Sequence, residues 1–161
     1  MNDAVPSHWI DEQRQRLDEL IDACRVALHD SLNDLTDEEA RRRLVPSRTT
    51  LLGLVKHASF VEGVWFDQAV TGRSYDDIGI ARTVDSSFTL RRTDTIATVQ
   101  AAYRERWDVS RQNLAGRRMD ETVDGRGERP VWALYLQVLR ELAQHAGHAD
   151  ILREQILASR T

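Results

Sequence analysis

The chain has 161 residues, of which 41% are hydrophobic and 30% are charged, and its formal net charge is −4 at pH 7. A chain of this length buries a core without disulfides or structural metals, and its composition is not that of a disordered protein. The charge is spread over both signs and forms no basic stretch, so we expect no nucleic-acid partner. We expect one domain, residues 1–161.

The N-terminal sequence MNDAVPSHWIDEQRQR has neither the basic region nor the apolar region of a signal peptide. The chain contains a single cysteine, Cys24, which cannot form an internal disulfide. No apolar run approaches the ~20 residues of a membrane span. These features predict a cytoplasmic protein with no membrane association.

Apolar residues recur at spacings of three, four and seven in the first half of the chain, which is the pattern of amphipathic helices. The first helix is predicted from about Trp9 to Asn33. The sequence TDEEARRRL offers a capping box, Thr36 with Glu39, for a short helix that ends before Pro46. A second long helix is predicted after PSRTT, and it ends at Gly72, a typical C-terminal glycine.

The second half of the chain begins with residues 73–92, which show no sustained periodicity and predict a long ordered loop. Loops of this length inside a compact domain are commonly functional. A third helix is predicted from Thr93 or Asp94 to Gly116, and a fourth from Pro130 to about Ala158. Four long helices without a convincing strand predict an all-α four-helix bundle, with one short extra helix and a long loop between helices two and three.

One face of the predicted fourth helix changes from apolar to ionisable along its length. Leu134 and Val138 are followed on this face by Glu141, His145 and His148. Helical residues four apart share a face and lie about 6 Å apart, so Glu141 and His145 can reach one cation. Carboxylate and neutral imidazole are ligands that suit Zn²⁺, Ni²⁺ or Fe²⁺.

The second helix offers a third ligand, because His57 lies on an apolar face between Leu54 and Val61. If the second and fourth helices adjoin, His57, Glu141 and His145 form a three-ligand set with positions open to water or substrate. The alternative is that His57 is a hydrogen-bonded core histidine and that Glu141 pairs with an arginine of a neighbouring helix. Both interpretations stay open at this point.

Other reactive side chains are interpreted as structural. Cys24 lies on the apolar face of the first helix and is predicted to be a small core residue. His8 and His29 lie off the apolar faces and are predicted to be at the surface. Glu62 and Asp150 are candidates to orient the imidazoles of the metal ligands without binding the metal themselves, with an ordinary surface role as the alternative.

The sequence TLLGLVKHASFVEGVWF, followed later in the chain by ELAQHAGHADILRE, resembles the DinB/YfiT-like superfamily of metal-dependent four-helix proteins. The resemblance runs from Leu51 to Gln155 and lies in the branch near mycothiol-dependent maleylpyruvate isomerase. It implies a four-helix bundle, often a homodimer, whose metal is held by one histidine of the second helix and an i, i+4 pair of the last. In this sequence these positions are His57, Glu141 and His145.

Many relatives carry the motif His-x-x-x-His-Arg-Gly-Gln on the last helix, and two positions here depart from it. Glu141 stands where the first histidine is common, which resembles the His, Glu, His set of the isomerase. His148 falls on the glutamine position, where it is a catalytic proton carrier, a fourth ligand or a pocket wall. The pairing of His145 with His148 as ligands remains an alternative.

The resemblance implies a divalent-metal-dependent transferase that activates a low-molecular-weight thiol for attack on small electrophiles. Characterised relatives use mycothiol, bacillithiol or glutathione. The arginine-rich composition, in which Lys56 is the only lysine, is typical of a GC-rich genome and favours mycothiol. A thiol-dependent isomerase, a non-catalytic metal-binding or small-molecule-binding bundle and a purely structural dimerisation module are the alternatives.

Overall fold

A computed structural model describes residues 7–160, in which helices form almost all of the regular structure. The elements in chain order are α1 (Ser7–Asp30), α2 (Asp37–Ala40), α3 (Leu51–Glu62), a π-helical segment (Gly63–Gln68), α4 (Ala69–Thr71), α5 (Tyr75–Ile78), α6 (Val84–Ser87), α7 (Ile96–Leu114), β1 (Thr122–Val123), β2 (Arg129–Pro130) and α8 (Val131–Ala158). The π-helical segment joins α3 to α4, so these three form one long helical element. The prediction of an all-α, DinB-like four-helix fold is confirmed.

The long helices pack around one apolar core. Helix α8 packs against both α1 and α3, and α3 also packs against α7. The core side of α8 is supplied by apolar residues at helical spacing: Leu134, Val138, Leu142, Ala149, Leu152 and Ile156. The sequence predicted a shared site on the condition that the second and fourth long helices adjoin. These are α3 and α8, which pack against each other, so the condition is met. No helix of the described residues is long and apolar enough to cross a membrane.

Local signals predicted most helix ends to within a few residues. The Thr36–Glu39 capping box is present in both directions, and Gly72 ends α4 at a φ of 73°. Helix α1 ends at Asp30 in place of Asn33. Pro130 is the N-cap of α8, one residue before the helix, in place of its first residue.

Helix α7 begins one or two residues later than predicted, because its N-cap is Thr95 and not Thr93 or Asp94. Thr95 is the N-cap and accepts a hydrogen bond from the backbone N–H of Thr98. The carboxylate of Asp94 instead accepts hydrogen bonds from Lys56 Nζ and from the backbone N–H of Arg91. Lys56 and Asp94 are 38 positions apart in sequence, so their contact is seen only in the structure, where α3 packs beside this turn.

The segment 73–92 contains two helices, α5 and α6, which the absence of periodicity did not predict. Each has four residues and begins at a capping hydroxyl, that of Ser74 or Thr83. The connection before α8 forms a hairpin in which Thr122 pairs with Pro130 and Val123 with Arg129. Elements of two to four residues are shorter than the windows in which periodicity becomes visible.

The prediction that His29 lies at the surface is wrong, and the side chain of His8 lies outside the described residues. His29 is buried, and its ring packs edge-on against Trp107 of α7 at 5.7 Å between ring centroids. A polar residue off the apolar face of an isolated helix is buried here because α7 covers that side of α1.

Candidate metal centre

Three side chains from two neighbouring helices converge in one place. His57 of α3 and Glu141 and His145 of α8 each place one potential ligand atom within 4.8 Å of the others. His145 Nε2 lies 3.6 Å from Glu141 Oε2, and the rings of His57 and His145 are perpendicular with centroids 4.8 Å apart. The structure therefore brings together the three ligands that the sequence predicted.

The orientation of His57 is held by a residue that the sequence analysis missed, Ser87 of α6. His57 Nδ1 lies 2.6 Å from Ser87 Oγ, and this hydroxyl donates its hydrogen to the carbonyl oxygen of Val84 at 2.5 Å. Because that hydrogen is already used, Ser87 Oγ accepts from the Nδ1–H group of His57. The other ring nitrogen, Nε2, is then unprotonated and available to a metal.

Aromatic packing also holds the His57 ring in place. Phe88 stacks on His57 with the ring centroids 4.0 Å apart. Both Phe88 and Ser87 belong to the segment 73–92, so this segment packs directly behind the first ligand. The Thr83–Ser86 capping box is the sequence signal that could have indicated a helix, and hence an ordered Ser87, at this point.

Both histidines of the cluster stay neutral, as metal ligands must. Burial, together with the neighbouring His145, lowers the pKa of His57 to about 3. Burial also lowers the pKa of His145, although Glu141 opposes this shift. Among the described residues neither ring nitrogen of His145 has a hydrogen-bond partner. Buried polar atoms are rarely left without a partner, so this donor set fits a bound cation.

Glu141 is the single carboxylate of the cluster and keeps one oxygen turned toward it. Its Oε1 accepts hydrogen bonds from Gln137 and Arg140, both on the same helix, while Oε2 faces His145. Arg140 is not on a neighbouring helix, so the alternative interpretation of Glu141 as an inter-helix ion pair is wrong. The two local bonds leave Oε2 for a cation.

The remaining predicted residues lie around or away from the cluster. His148 is exposed, and its ring centroid is 5.8 Å from that of His145. Asp150 is also exposed. Cys24 packs partly buried against the core, and burial raises the pKa of its thiol, which is the behaviour of a structural cysteine.

The interpretation of Glu62 as a residue that orients an imidazole is wrong. Its carboxylate is fully buried and accepts two hydrogen bonds from Arg25 of α1, at 3.0 and 2.6 Å. Ser110 of α7 donates a third, at 2.8 Å. Glu62 therefore ties three helices together inside the bundle.

A pocket of about 370 Å³ opens beside the cluster and includes His57 and Glu141 in its lining. Two guanidinium groups, those of Arg82 and Arg126, line it together with Trp65 and Tyr75. We call this space the Arg126 pocket. The rest of its walls consists of the polar Thr83 and Gln137 and of four apolar side chains, namely Phe60, Val61, Val64 and Val84.

A close backbone contact places Arg126 at this pocket. The neighbouring Gly125 donates its N–H to the carbonyl of Ala69, and a Cβ at position 125 would lie 2.1 Å from the carbonyl oxygen of Gln68. Only glycine permits this approach. The turn before β2 is thereby fixed against the end of the π-helical segment.

A family model described as mycothiol-S-transferase matches residues 16–158. The match covers α2 to α8 completely and α1 from Arg16 onward. It also includes His57, Glu141 and His145. No protein of curated function matches the chain.

Proposed function

The chain belongs to the mycothiol-S-transferase family, a member of the DinB-like superfamily, and from this premise we propose that it is a divalent-metal-dependent transferase. The metal is held by His57, Glu141 and His145. The co-substrate is a low-molecular-weight thiol, mycothiol, and the acceptor is a small electrophile.

The observation that carries this proposal is the convergence of two neutral imidazoles and one carboxylate within 4.8 Å. Three protein ligands leave coordination positions free for an exogenous molecule, as catalytic sites require. A divalent cation bound there would lower the pKa of the cofactor thiol and so supply a thiolate at neutral pH. The raised pKa of Cys24 agrees with a reaction that needs no cysteine of the protein.

The protein side chains have separate tasks in this scheme. His57 and His145 bind as neutral ligands, and Glu141 contributes the one negative charge of the set. His148 is our candidate for accepting the thiol proton, because it lies beside His145 and is exposed to water, to which it can pass the proton on. With an aryl halide, the sulfur forms a bond to carbon, the carbon–halogen bond breaks and halide leaves with the bonding electrons.

Metal content measured by mass spectrometry, followed by thiol conjugation, tests the proposal. We expect near one divalent ion per wild-type chain, its loss in the His57→Ala, His145→Ala double variant, and its retention in a Gln144→Ala control. Gln144 is exposed and adjacent to His145 in sequence, so it controls for a substitution on the same helix. Wild-type protein that takes up no metal after reconstitution would contradict the metal site.

Turnover separates the transferase from a binding protein. We expect the metal-loaded protein to conjugate mycothiol to an electrophile such as monochlorobimane, more slowly in His148→Ala, which should keep its metal. Stoichiometric metal with no conjugation of mycothiol, bacillithiol or glutathione would instead support a non-catalytic binding bundle. Isomerisation of a thiol-dependent substrate without net conjugation would support the isomerase alternative.

Three broader features are part of the same proposal. We propose one domain over residues 1–161, a cytoplasmic location and a homodimer. The family match over residues 16–158 supports the single domain, because one model accounts for almost the whole chain. Limited proteolysis that releases two stably folded pieces would contradict it.

A further inference from the structure

The Arg126 pocket holds a cation that the protein itself does not neutralise. Arg126 Nη1 lies 2.7 Å from the Tyr75 hydroxyl and 3.2 Å from Gln68 Oε1. Its guanidinium carbon lies 5.2 Å from the centre of the Trp65 ring. These partners are all uncharged, and within residues 9–160 no carboxylate forms an ion pair with Arg126.

The second guanidinium in the pocket differs in this respect. Arg82 donates to both carboxylate oxygens of Asp76, at 3.2 and 2.8 Å, so its charge is matched. Arg126 therefore carries the excess positive charge of the pocket. Its position is fixed by two hydrogen bonds and an aromatic contact, and its Nε and Nη2 have no hydrogen-bond partner among residues 9–160.

A metal bound at the candidate centre, two of whose residues line the pocket, would add positive charge to it. A divalent cation carries two positive charges, and Glu141 is the one carboxylate in the ligand set. A confined space with net positive charge and apolar walls attracts ligands that combine an anionic end with an apolar body. A pre-positioned arginine is the side chain best suited to grip a carboxylate in two places.

We propose that Arg126 binds a carboxylate of the electrophile, so that this protein favours small apolar electrophiles with an anionic group over neutral ones. Mycothiol has no carboxylate, so the anionic group belongs to the electrophile. The apolar body lies against Val61, Val64 and Trp65, and the reacting carbon faces the metal centre. This inference names the substrate class of the proposed transferase. Its prediction about turnover rests on that proposed function, whereas its prediction about binding does not.

Direct binding to the zinc-reconstituted full chain tests the proposal without any reaction. The probes are 3-nitrobenzoate and the neutral 3-nitrobenzamide, measured by titration calorimetry. We expect the benzoate to bind about tenfold more tightly than the amide, since a hydrogen bond between two charged groups is stronger than one to a neutral group. We expect Arg126→Gln to abolish the preference and to leave binding of the amide unchanged.

The control variant is Arg104→Gln, which removes the same charge from an exposed position on α7. We expect it to keep the preference for benzoate. A preference that survives Arg126→Gln would come from the metal or from Arg82 and would overturn the proposal. Equal binding of the two probes to the wild-type protein would overturn it as well.

Kinetics distinguish a failure of this inference from a failure of the transferase. The substrates are 4-chloro-3-nitrobenzoate and its amide; in each, mycothiol sulfur replaces chlorine, chloride leaves with the bonding electrons and the thiol proton passes to solvent. We expect Arg126→Gln to raise KM about tenfold for the benzoate alone, with kcat unchanged. Conjugation of both substrates, with Arg126→Gln changing the KM of neither, would refute the inference and would still support the proposed transferase. Arg126-dependent binding of 3-nitrobenzoate without any conjugation would refute the transferase and keep the anion site.

Discussion

At the scale of single residues, the centre depends on the tautomer of His57 as much as on its position. A histidine offers a metal its unprotonated nitrogen, and a hydrogen bond to the other nitrogen selects which one that is. Ser87 makes this bond and is itself fixed by Val84. The proposed ligand His57 is therefore oriented by a residue of the segment 73–92.

We predict that Ser87→Ala weakens zinc affinity by about 10- to 100-fold, the usual effect of removing a residue that orients a ligand. Competition with a chromophoric chelator measures this change. Ser86→Ala is the matched control, because Ser86 belongs to the same helix and caps it without contacting His57. Equal zinc affinity in wild-type protein and Ser87→Ala would contradict the orienting role.

The lowered pKa of His57 leads to a second prediction, which concerns the stability of the metal-free protein. The native pKa of about 3 lies below the ordinary 6.5, so the imidazole takes up a proton only after unfolding. Its stabilising contribution is complete above pH 6.5 and is lost as the pH falls toward 3. Between pH 7 and pH 5 we expect wild-type protein to lose about 2 kcal/mol more stability than His57→Phe.

Urea unfolding in the presence of a chelator, at both pH values, measures this difference. Phenylalanine is the substitution of choice because His57 stacks between Phe60 and Phe88, where an aromatic ring fits. Parallel pH dependences of the two proteins would show that folding does not lower the pKa of His57.

At the scale of elements, a buried ion pair and its hydrogen bonds join three of the long helices inside the bundle. Arg25 of α1 is 4% exposed and Glu62 of α3 is fully buried, and Ser110 of α7 completes the network. Such a pair is not strongly stabilising against an apolar replacement, but losing one partner leaves a buried charge. The network thus penalises any arrangement in which α1, α3 and α7 shift relative to one another.

We predict that Arg25→Met lowers the free energy of unfolding by about 3–5 kcal/mol, because it leaves the Glu62 carboxylate buried without its cation. The double variant Arg25→Met, Glu62→Leu should recover much of this loss, since both charges are then absent. Urea denaturation of the two variants beside the wild type measures the effect. A double variant less stable than Arg25→Met would contradict this account.

At the scale of the whole molecule, no element among residues 9–160 covers an apolar face on α1 and α8. Trp9, Trp132 and Leu136 are 51%, 48% and 49% exposed, and they line the same shallow groove. Large exposed apolar side chains gathered in one place are typical of an interaction surface. This groove is where we expect the proposed homodimer to form.

Sedimentation velocity tests this expectation. We predict a dimer for the wild-type chain and a monomer for the Trp132→Glu, Leu136→Glu double variant, because buried charges at the interface oppose association. Ile151→Glu is the control, since Ile151 is a similarly exposed apolar residue of α8 outside this groove. A monomeric wild-type protein would refute the dimer, and an unchanged dimer in the double variant would place it on another surface.

The sequence by itself determined the long helices and the three candidate ligands, because both follow from the spacing of residues within single helices. Helical periodicity follows from 3.6 residues per turn, and the change from apolar to ionisable side chains at Glu141, His145 and His148 marked the unusual face of α8. The Thr36 capping box and Gly72 are equally local, and each predicted a helix end correctly. The family resemblance rests on the same stretches of sequence.

Only the tertiary structure decided the environment of those ligands. Ser87 contacts His57 across 30 positions of sequence, Arg126 reaches Tyr75 across 51, and Glu62 meets Arg25 rather than an imidazole. Such contacts depend on which helix faces lie side by side and on elements of two to four residues, too short to carry a period. Contacts between side chains that are far apart in sequence depend on how the helices pack. The periodicity of one segment does not indicate which other segments pack beside it.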